Sequence, residues 1–508
     1  MRRATCLLAV FAVIASACSA QADSDAAPPP STEVSSTTQT TPVEPFGEST
    51  DVDAGDEGEA EVEVVSEQDP FRDFRGTTIK VEISVREPPE EMEEIIALTE
   101  ELFTAETGII VEYVPDQRFV NDVIYLTPPT PADVRLTGSF EAAQFGVNGW
   151  LEDLTPRAVA DADFDLDDLI PSVRSANSLD ESLFAVPFFA ESSIIMYNQQ
   201  IMDASGIDFP EAPMWEQVAA IARQVDTDDV PGICLRGLPG WGDLGSSLTT
   251  VVNTFGGTWW EATSNGTPGE PQINQPDSGF REATEFYIDL LRDAGQSDPE
   301  QSSRPQCLEQ FQNGEAAIFY DGTVVTTAIE SEESQVAGNV GYALAPVNLT
   351  ESSGWLWTWG LAIPTDALNP DAAWEYVSWA TSAEFVRQAG ENSSQGWLTA
   401  PRGTRLSTYE IPEYLDAHEP YADLVLRAIT EAPIDMPGTT QRPGLPGVQY
   451  VGIPEFQDSA TRCTTEVAEA IANVISIDQA LDRCQSIALE VSDIADVPSR
   501  RGGSTRTR

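Results

Sequence analysis

An α/β protein of two lobes is what this sequence predicts, on three observations. At 508 residues the chain exceeds one ordinary domain and suffices for two of roughly 150 to 200 residues each. A strand–helix–strand unit opens the folded part, and helical stripes of the same kind return several times before residue 493. In the opening unit Thr78 to Val85 alternates, with Ile79, Val81, Ile83 and Val85 on one face. Met92, Ile95, Ile96, Leu102 and Phe103 then recur at helical spacing up to Gly108, and Ile109 to Val114 forms a second strand. Strands joined in this way belong to an α/β layer and pair in parallel. Further along, Trp215, Val218, Ala222 and Val225 make one helical stripe, and Ala283, Phe286, Tyr287, Leu290 and Leu291 make another that Gly295 closes. Asn369, with Pro370 at the first helical position, starts a helix carrying Trp374, Val377 and Phe385. Two helical patterns around Cys463 and Cys484 end the folded chain, and no internal repeat is present.

Ahead of that body, residues 1–17 read as a secretory signal: Arg2 and Arg3, an apolar run from Cys6 to Ile14, then Ala15-Ser16-Ala17. The segment resembles a bacterial lipobox with Cys18 as the lipidated first residue, although Ala15 stands where Leu is usual; ordinary signal cleavage is the alternative. Residues 18–75 form a tether rich in Ser, Thr, Pro and acid, and Ser19–Arg75 holds 15 acids against two arginines. Such a segment buries too little apolar surface to offset its ordering entropy. The expectation is an extracytoplasmic body held to the cell membrane, at the cell surface or in the periplasm, by its lipid alone. No other stretch approaches the ~20 apolar residues of a transmembrane helix, and residues 494–508 make a polar, basic tail.

Composition removes whole classes of function. Hydrophobic residues at 41% permit a large core, while 84 Asp+Glu against 26 Lys+Arg give a formal net charge of −58. That balance opposes nucleic acid and anionic membrane surfaces as partners. The acids are read as a solvated surface, with adaptation to salt as the alternative. One histidine, His418, would have to serve any Ser-His-Asp, Cys-His or His-rich zinc site, so no metal or other cofactor is expected. Besides Cys18, the mature cysteines are Cys234, Cys307, Cys463 and Cys484. Four cysteines in an oxidising compartment allow three pairings, of which Cys463–Cys484 with Cys234–Cys307 is the expected set.

Aromatic placement is the strongest local signal. Nine of the 11 tryptophans fall between Trp241 and Trp397, and in Gly354-Trp355-Leu356-Trp357-Thr358-Trp359-Gly360 three indoles alternate. On a strand all three share a face, and burying them together with every N–H satisfied is difficult. At least one is expected to line a cleft, where a flat apolar ring covers the C–H face of a sugar or polyol; a core ladder is the competing reading. The loop Leu235 to Asp243 is expected to expose Arg236, Trp241 and Asp243 together, and ionised groups suit neighbouring hydroxyls; a surface ion pair is the plainer alternative. Glu191, after Phe188-Phe189-Ala190, is an acid beside an apolar run and needs a partner. Trp259 and Trp260, after Gly256-Gly257, are expected in the core.

These segments resemble the extracytoplasmic solute-binding proteins of ABC importers, in the maltose-binding-protein-like class. Leu183 to Ser193 with Met196-Tyr197-Asn198, and Trp355 to Pro364 running into Asn369 to Thr381, carry the resemblance. Its sorbitol/mannitol-binding branch is suggested by Cys234 to Trp241, Val251 to Gly257, Gly403 to Glu410 and Gly447 to Gln457, collinear within about Gly76 to Val491. The resemblance implies a two-lobed periplasmic-binding-protein fold of type II with the ligand in the interlobe cleft, a common place for small-molecule sites. It also implies discontinuous lobes: 76–186 and 346–405 in the first, 187–345 and 406–493 in the second. A monomer that captures a polyol or sugar and docks on an ABC permease, without catalysis, follows from it. Position-matching gives the ligand site as Glu141, Glu191, Arg236, Trp241, Asp243, Asp321, Trp355 and Trp357. Val85 to Pro89, Phe140 in Thr137-Gly138-Ser139-Phe140-Glu141, and Asp243-Leu244 depart from the family pattern at ligand-facing positions and leave the particular polyol open. A hexitol has about 12 heavy atoms, so a Kd of ~1 μM, or about −8.2 kcal/mol, asks roughly 0.7 kcal/mol per atom, within the small-ligand ceiling. The competing functions are a secreted glycosidase with two carboxylates ~5 to 9.5 Å apart, and a surface receptor that senses a sugar without transport.

Overall fold

The computed structural model describes residues 71, 73–83, 93–115, 132–264, 267–393, 396–399, 402–432, 434 and 449–495. Cys18, the signal, most of the tether, Val85–Pro89, Met92 and the tail from 496 lie outside them. Strand β1 (Thr78–Ile83) runs parallel to β2 (Ile110–Pro115), with Thr78 opposite Ile110. Helical segments Glu93–Leu98, Thr99–Thr104 and Ala105–Thr107 connect them, and the chain turns at Gly108. Ile79 and Val81 are buried, as their alternation requires. Val81 also bridges Val134 in parallel and so joins this pair to β3 (Arg135–Gly138), which runs straight into α1 (Ser139–Val147).

After α2 (Pro171–Ala176) come β4 (Val186–Glu191) and β5 (Ser193–Asn198), with the single residue Ser192 between them. The principal elements that follow are α3 (Trp215–Val225), α4 (Leu244–Thr254), α5 (Gly279–Ala294), α6 (Arg304–Gln312), β6 (Ile318–Gly322), β7 (Val340–Leu344), β8 (Trp357–Ala362) and α7 (Pro370–Ala380). Then come α8 (Ala422–Thr430), α9 (Phe456–Ile471) and α10 (Ile477–Ala495). Phe385 does not ride on α7. A second helix, Ala383–Asn392, carries it, because Ser382 accepts the Phe385 N–H at 2.9 Å and caps a new start.

Two three-stranded sheets organise these elements, one ordered β3-β8-β4 and the other β6-β5-β7. Each is antiparallel about its middle strand, unlike the parallel opening pair. Because only Ser192 separates β4 from β5, one run of extended chain leaves the first sheet and enters the second. Every residue of β8 and β6 is buried, as expected of strands covered on both faces. A large apolar core spans both sheets, and a smaller one joins α2 to α8 around Ile170, Val173, Tyr414, Tyr421 and Ile429. Trp259 and Trp260 belong to the large core. The disulfides are Cys234–Cys307 and Cys463–Cys484, the second tying α9 to α10.

Candidate functional site

The site is built where the two sheets hand the chain across. Glu191, the last residue of β4, lies opposite Trp357, while Ser193 lies opposite Gly322. Between them the Ser192 hydroxyl donates to the Trp355 carbonyl at 2.8 Å, and the Thr323 N–H donates to the Ser192 carbonyl at 2.7 Å. These bonds fix the ends of both sheets beside a cavity of about 390 Å³, its mouth included. Room for solvent within it is only about 30 Å³, so its walls stand close together. Glu191, Arg236, Trp241, Gly242, Ser246, Arg304, Trp355, Trp357, Trp359 and Gln449 line it.

One wall is ionic and closed on itself. The Arg236 guanidinium grips Asp321 with two bonds, Nε to Oδ2 at 2.7 Å and Nη2 to Oδ1 at 2.5 Å, and its Nη1 donates to the Gly242 carbonyl at 2.9 Å. A two-pronged pair of this kind is strong and directional. Asp321 also accepts the Gly322 N–H at 2.7 Å, which leaves it behind Arg236. Asp243 accepts a hydrogen bond from the Ser303 hydroxyl at the N-cap of α6. Burial opposes the charge on Arg236, but Asp321 outweighs it and holds the guanidinium above its ordinary pKa. For Asp243 burial wins over the pull of Arg236 and raises the carboxyl.

Indoles make the facing wall. Trp357 lies 5.5 Å from Trp359 and 5.9 Å from Trp241, centroid to centroid, and Phe140 backs Trp241 at 5.6 Å. The Arg236 guanidinium stands over the Trp355 ring at 5.4 Å, within cation–π range. Two buried groups on residues that line this cavity lack a hydrogen-bond partner among the described residues: the Trp355 Nε1–H donor and the Glu191 Oε2 acceptor. Gln449 Oε1, also on the cavity, is a third. Buried polar atoms are ordinarily paired. Gly322 leaves the room that the Glu191 carboxylate occupies, since a Cβ there would stand 2.7 Å from Oε2. Burial pushes the Glu191 carboxyl up, while Arg304 and Arg236 pull it down.

Of the eight expected residues, the structure brings Glu191, Arg236, Trp241, Trp355 and Trp357 onto one cavity and sets Asp321 one bond behind it. Asp243 faces Ser303, and Glu141 sits in the first turn of α1, where its carboxylate accepts the Gly138 N–H at 3.4 Å. The loop expected to expose Arg236 and Asp243 buries both, because each finds a protein partner far along the chain: Asp321, 85 residues on, for Arg236 and Ser303, 60 residues on, for Asp243. Arg304, Ser246 and Gln449 were not singled out by sequence, and Trp359 was singled out only as one of the three alternating indoles. Trp359 and Gln449 fall inside motifs that carry the family resemblance, whereas nothing local marks Arg304. His418 is buried elsewhere, its Nδ1 2.8 Å from the Tyr414 carbonyl and its ring stacked on Tyr414.

Comparisons with known proteins give the family and the fold. The profile of the family described as bacterial extracellular solute-binding protein matches residues 87–386. The mannitol-binding protein of Pseudomonas aeruginosa is 33% identical over 381 residues, covering 74% of this chain and 84% of its own. An ABC transporter solute-binding protein from Agrobacterium vitis S4, solved with bound D-mannitol, superposes with a TM-score of 0.73 at 34% identity, covering 83% of this chain and 100% of its own. A solute-binding protein from Agrobacterium radiobacter K84, in complex with ribitol, shares the fold with a TM-score of 0.66 at 21% identity, covering 83% and 99%. The fold is therefore the two-lobed α/β fold of type II.

Proposed function

The chain belongs to the bacterial extracellular solute-binding proteins, and from that premise we propose that it captures an acyclic polyol of the mannitol kind and delivers it to the permease of an ABC importer. The observation that carries the polyol reading is the pairing of unpartnered polar atoms with indole faces. Glu191 Oε2 accepts from a hydroxyl, Trp355 Nε1–H donates to one, and Trp241, Trp357 and Trp359 cover the carbon chain. A polyol presents this alternation of hydroxyls and C–H along its whole length. The relatives named above that bind D-mannitol support the same ligand class.

Binding across the cleft favours the closed state by differential affinity, and no bond is made or broken. These contacts support a non-enzymatic reading: Arg236 engages Asp321 and Ser303 engages Asp243, so among the described residues that line the cavity Glu191 has no second carboxylate with which to divide acid and base roles. We place the first lobe crossing at Ser192, five residues beyond the boundary of 187 expected from sequence, since β4 belongs to the β8 sheet. Anchoring through Cys18 and a monomeric state complete the proposal. The test is calorimetry on the mature protein with D-mannitol, sorbitol, arabitol, ribitol and maltose. Micromolar binding of a hexitol is expected; binding of maltose with no polyol would overturn the ligand class.

A further inference from the structure

The two disulfides stand in different relations to the cleft. Cys463–Cys484 joins two neighbouring helices across 21 residues, whereas Cys234–Cys307 spans 73 and joins two segments that each supply a cavity residue. Cys234 lies on extended chain beside β6, its N–H donating to the Ile318 carbonyl at 2.8 Å. Side chains two apart on extended chain project to the same side, and two residues on is Arg236. Arg304 opens α6, and Cys307 lies three residues along it, on the same face. All four side chains are buried, and both arginines line the cavity on which Glu191 also sits. The segments touch tightly besides: the N–H groups of Gly237 and Leu238 both donate to the Ser302 carbonyl, at 2.8 and 2.9 Å. At Gly237 a Cβ would come within 2.1 Å of the Pro299 carbonyl oxygen.

We infer that the Cys234–Cys307 disulfide is a positioning element of the ligand cleft, holding Arg236 and Arg304 at a fixed separation on the cavity that Glu191 also lines. Arg304 thereby joins the ligand wall. Preorganised side chains avoid an ordering cost when ligand binds, so loss of this bond weakens binding beyond its effect on stability. The affinity arm of the inference rests on the polyol reading; the crosslink itself does not. Cys463–Cys484 supplies the control, because its loss frees α10 while Thr461 and Thr464, which accept the Trp241 and Gly240 N–H groups, remain on an unbroken α9.

The experiment compares Cys234→Ala/Cys307→Ala with Cys463→Ala/Cys484→Ala, each below its own melting onset. Calorimetry with D-mannitol is expected to show at least a ten-fold loss of affinity for the first and a change within two-fold for the second. Amide hydrogen exchange reads the positioning without ligand. The Gly237 and Leu238 amides should lose at least ten-fold protection in the first variant and keep it in the second. A folded first variant with wild-type affinity and unchanged exchange overturns the inference. Should that variant not fold, the same two readings are made on Cys463→Ala/Cys484→Ala with and without a phosphine reductant, where Cys234–Cys307 is the disulfide left to reduce, and the same outcomes decide. Failure of the wild-type protein to bind any hexitol counts against the polyol reading alone, because the exchange measurement still decides the role of the crosslink.

Discussion

The two walls of the cavity use polar groups in opposite ways. On the ionic wall Arg236, Asp321, Asp243 and Ser303 satisfy one another, whereas on the indole wall Trp355 Nε1–H and Glu191 Oε2 lack a partner among the described residues. An ion pair with its bonds made in place contributes mainly to architecture. An unpartnered buried atom carries a desolvation cost that a ligand can relieve. The walls therefore teach where ligand energy is to be sought, and substitutions on each should move different observables.

The largest effect is expected on the ionic wall. Arg236→Met strands Asp321, which is fully buried, without its cation. Breaking a buried pair from one side costs about 3 to 5 kcal/mol, so the melting temperature should fall steeply, and a variant of wild-type stability would break the contrast. Glu191→Gln should act the other way. It removes a buried carboxylate raised by desolvation, so stability should hold or rise while hexitol affinity falls about ten-fold, or about 1.4 kcal/mol. Its pH signature follows from linkage. A carboxyl whose folded pKa lies above the unfolded value of 4.5 binds more protons in the native state between those two values, so stability falls as pH rises through that window. The wild-type stability curve minus that of Glu191→Gln should show this fall just above pH 4.5, and a flat difference would contradict the raised pKa.

How much of this was legible in the sequence differs between the walls for the same physical reason. The indole wall is local: Trp355, Trp357 and Trp359 alternate within five residues, and alternation alone puts them on one side. The opening β1–helix–β2 unit was equally readable, because periodicity and Gly108 lie within one stretch. The ionic wall is assembled across long separations, with Arg236 85 residues from Asp321 and Asp243 60 from Ser303. Charge excess hid it, since in a chain with 84 acids no particular carboxylate stands out. Arg304 reaches the cavity only because α6 is held against the Arg236 segment, a tertiary fact with no local trace. The family resemblance pointed to Asp321 and Asp243 as ligand residues, and in the structure each has a protein partner, Arg236 and Ser303.

A smaller effect tests the junction of the walls. Ser192 lies between β4 and β5, and its hydroxyl bonds the carbonyl of Trp355, so it touches the indole wall through backbone and is not among the residues that line the cavity. Ser192→Ala removes one neutral hydrogen bond and leaves a buried carbonyl, for which about 1 kcal/mol of stability is the expected loss. Affinity for hexitol should change less than three-fold, because Glu191 and the indole ring keep their places in β4 and beside β8. A larger loss of affinity than of stability would mean that this bond sets the resting position of the crossing itself, and the division into an architectural wall and a binding wall would then have to include the backbone that joins them.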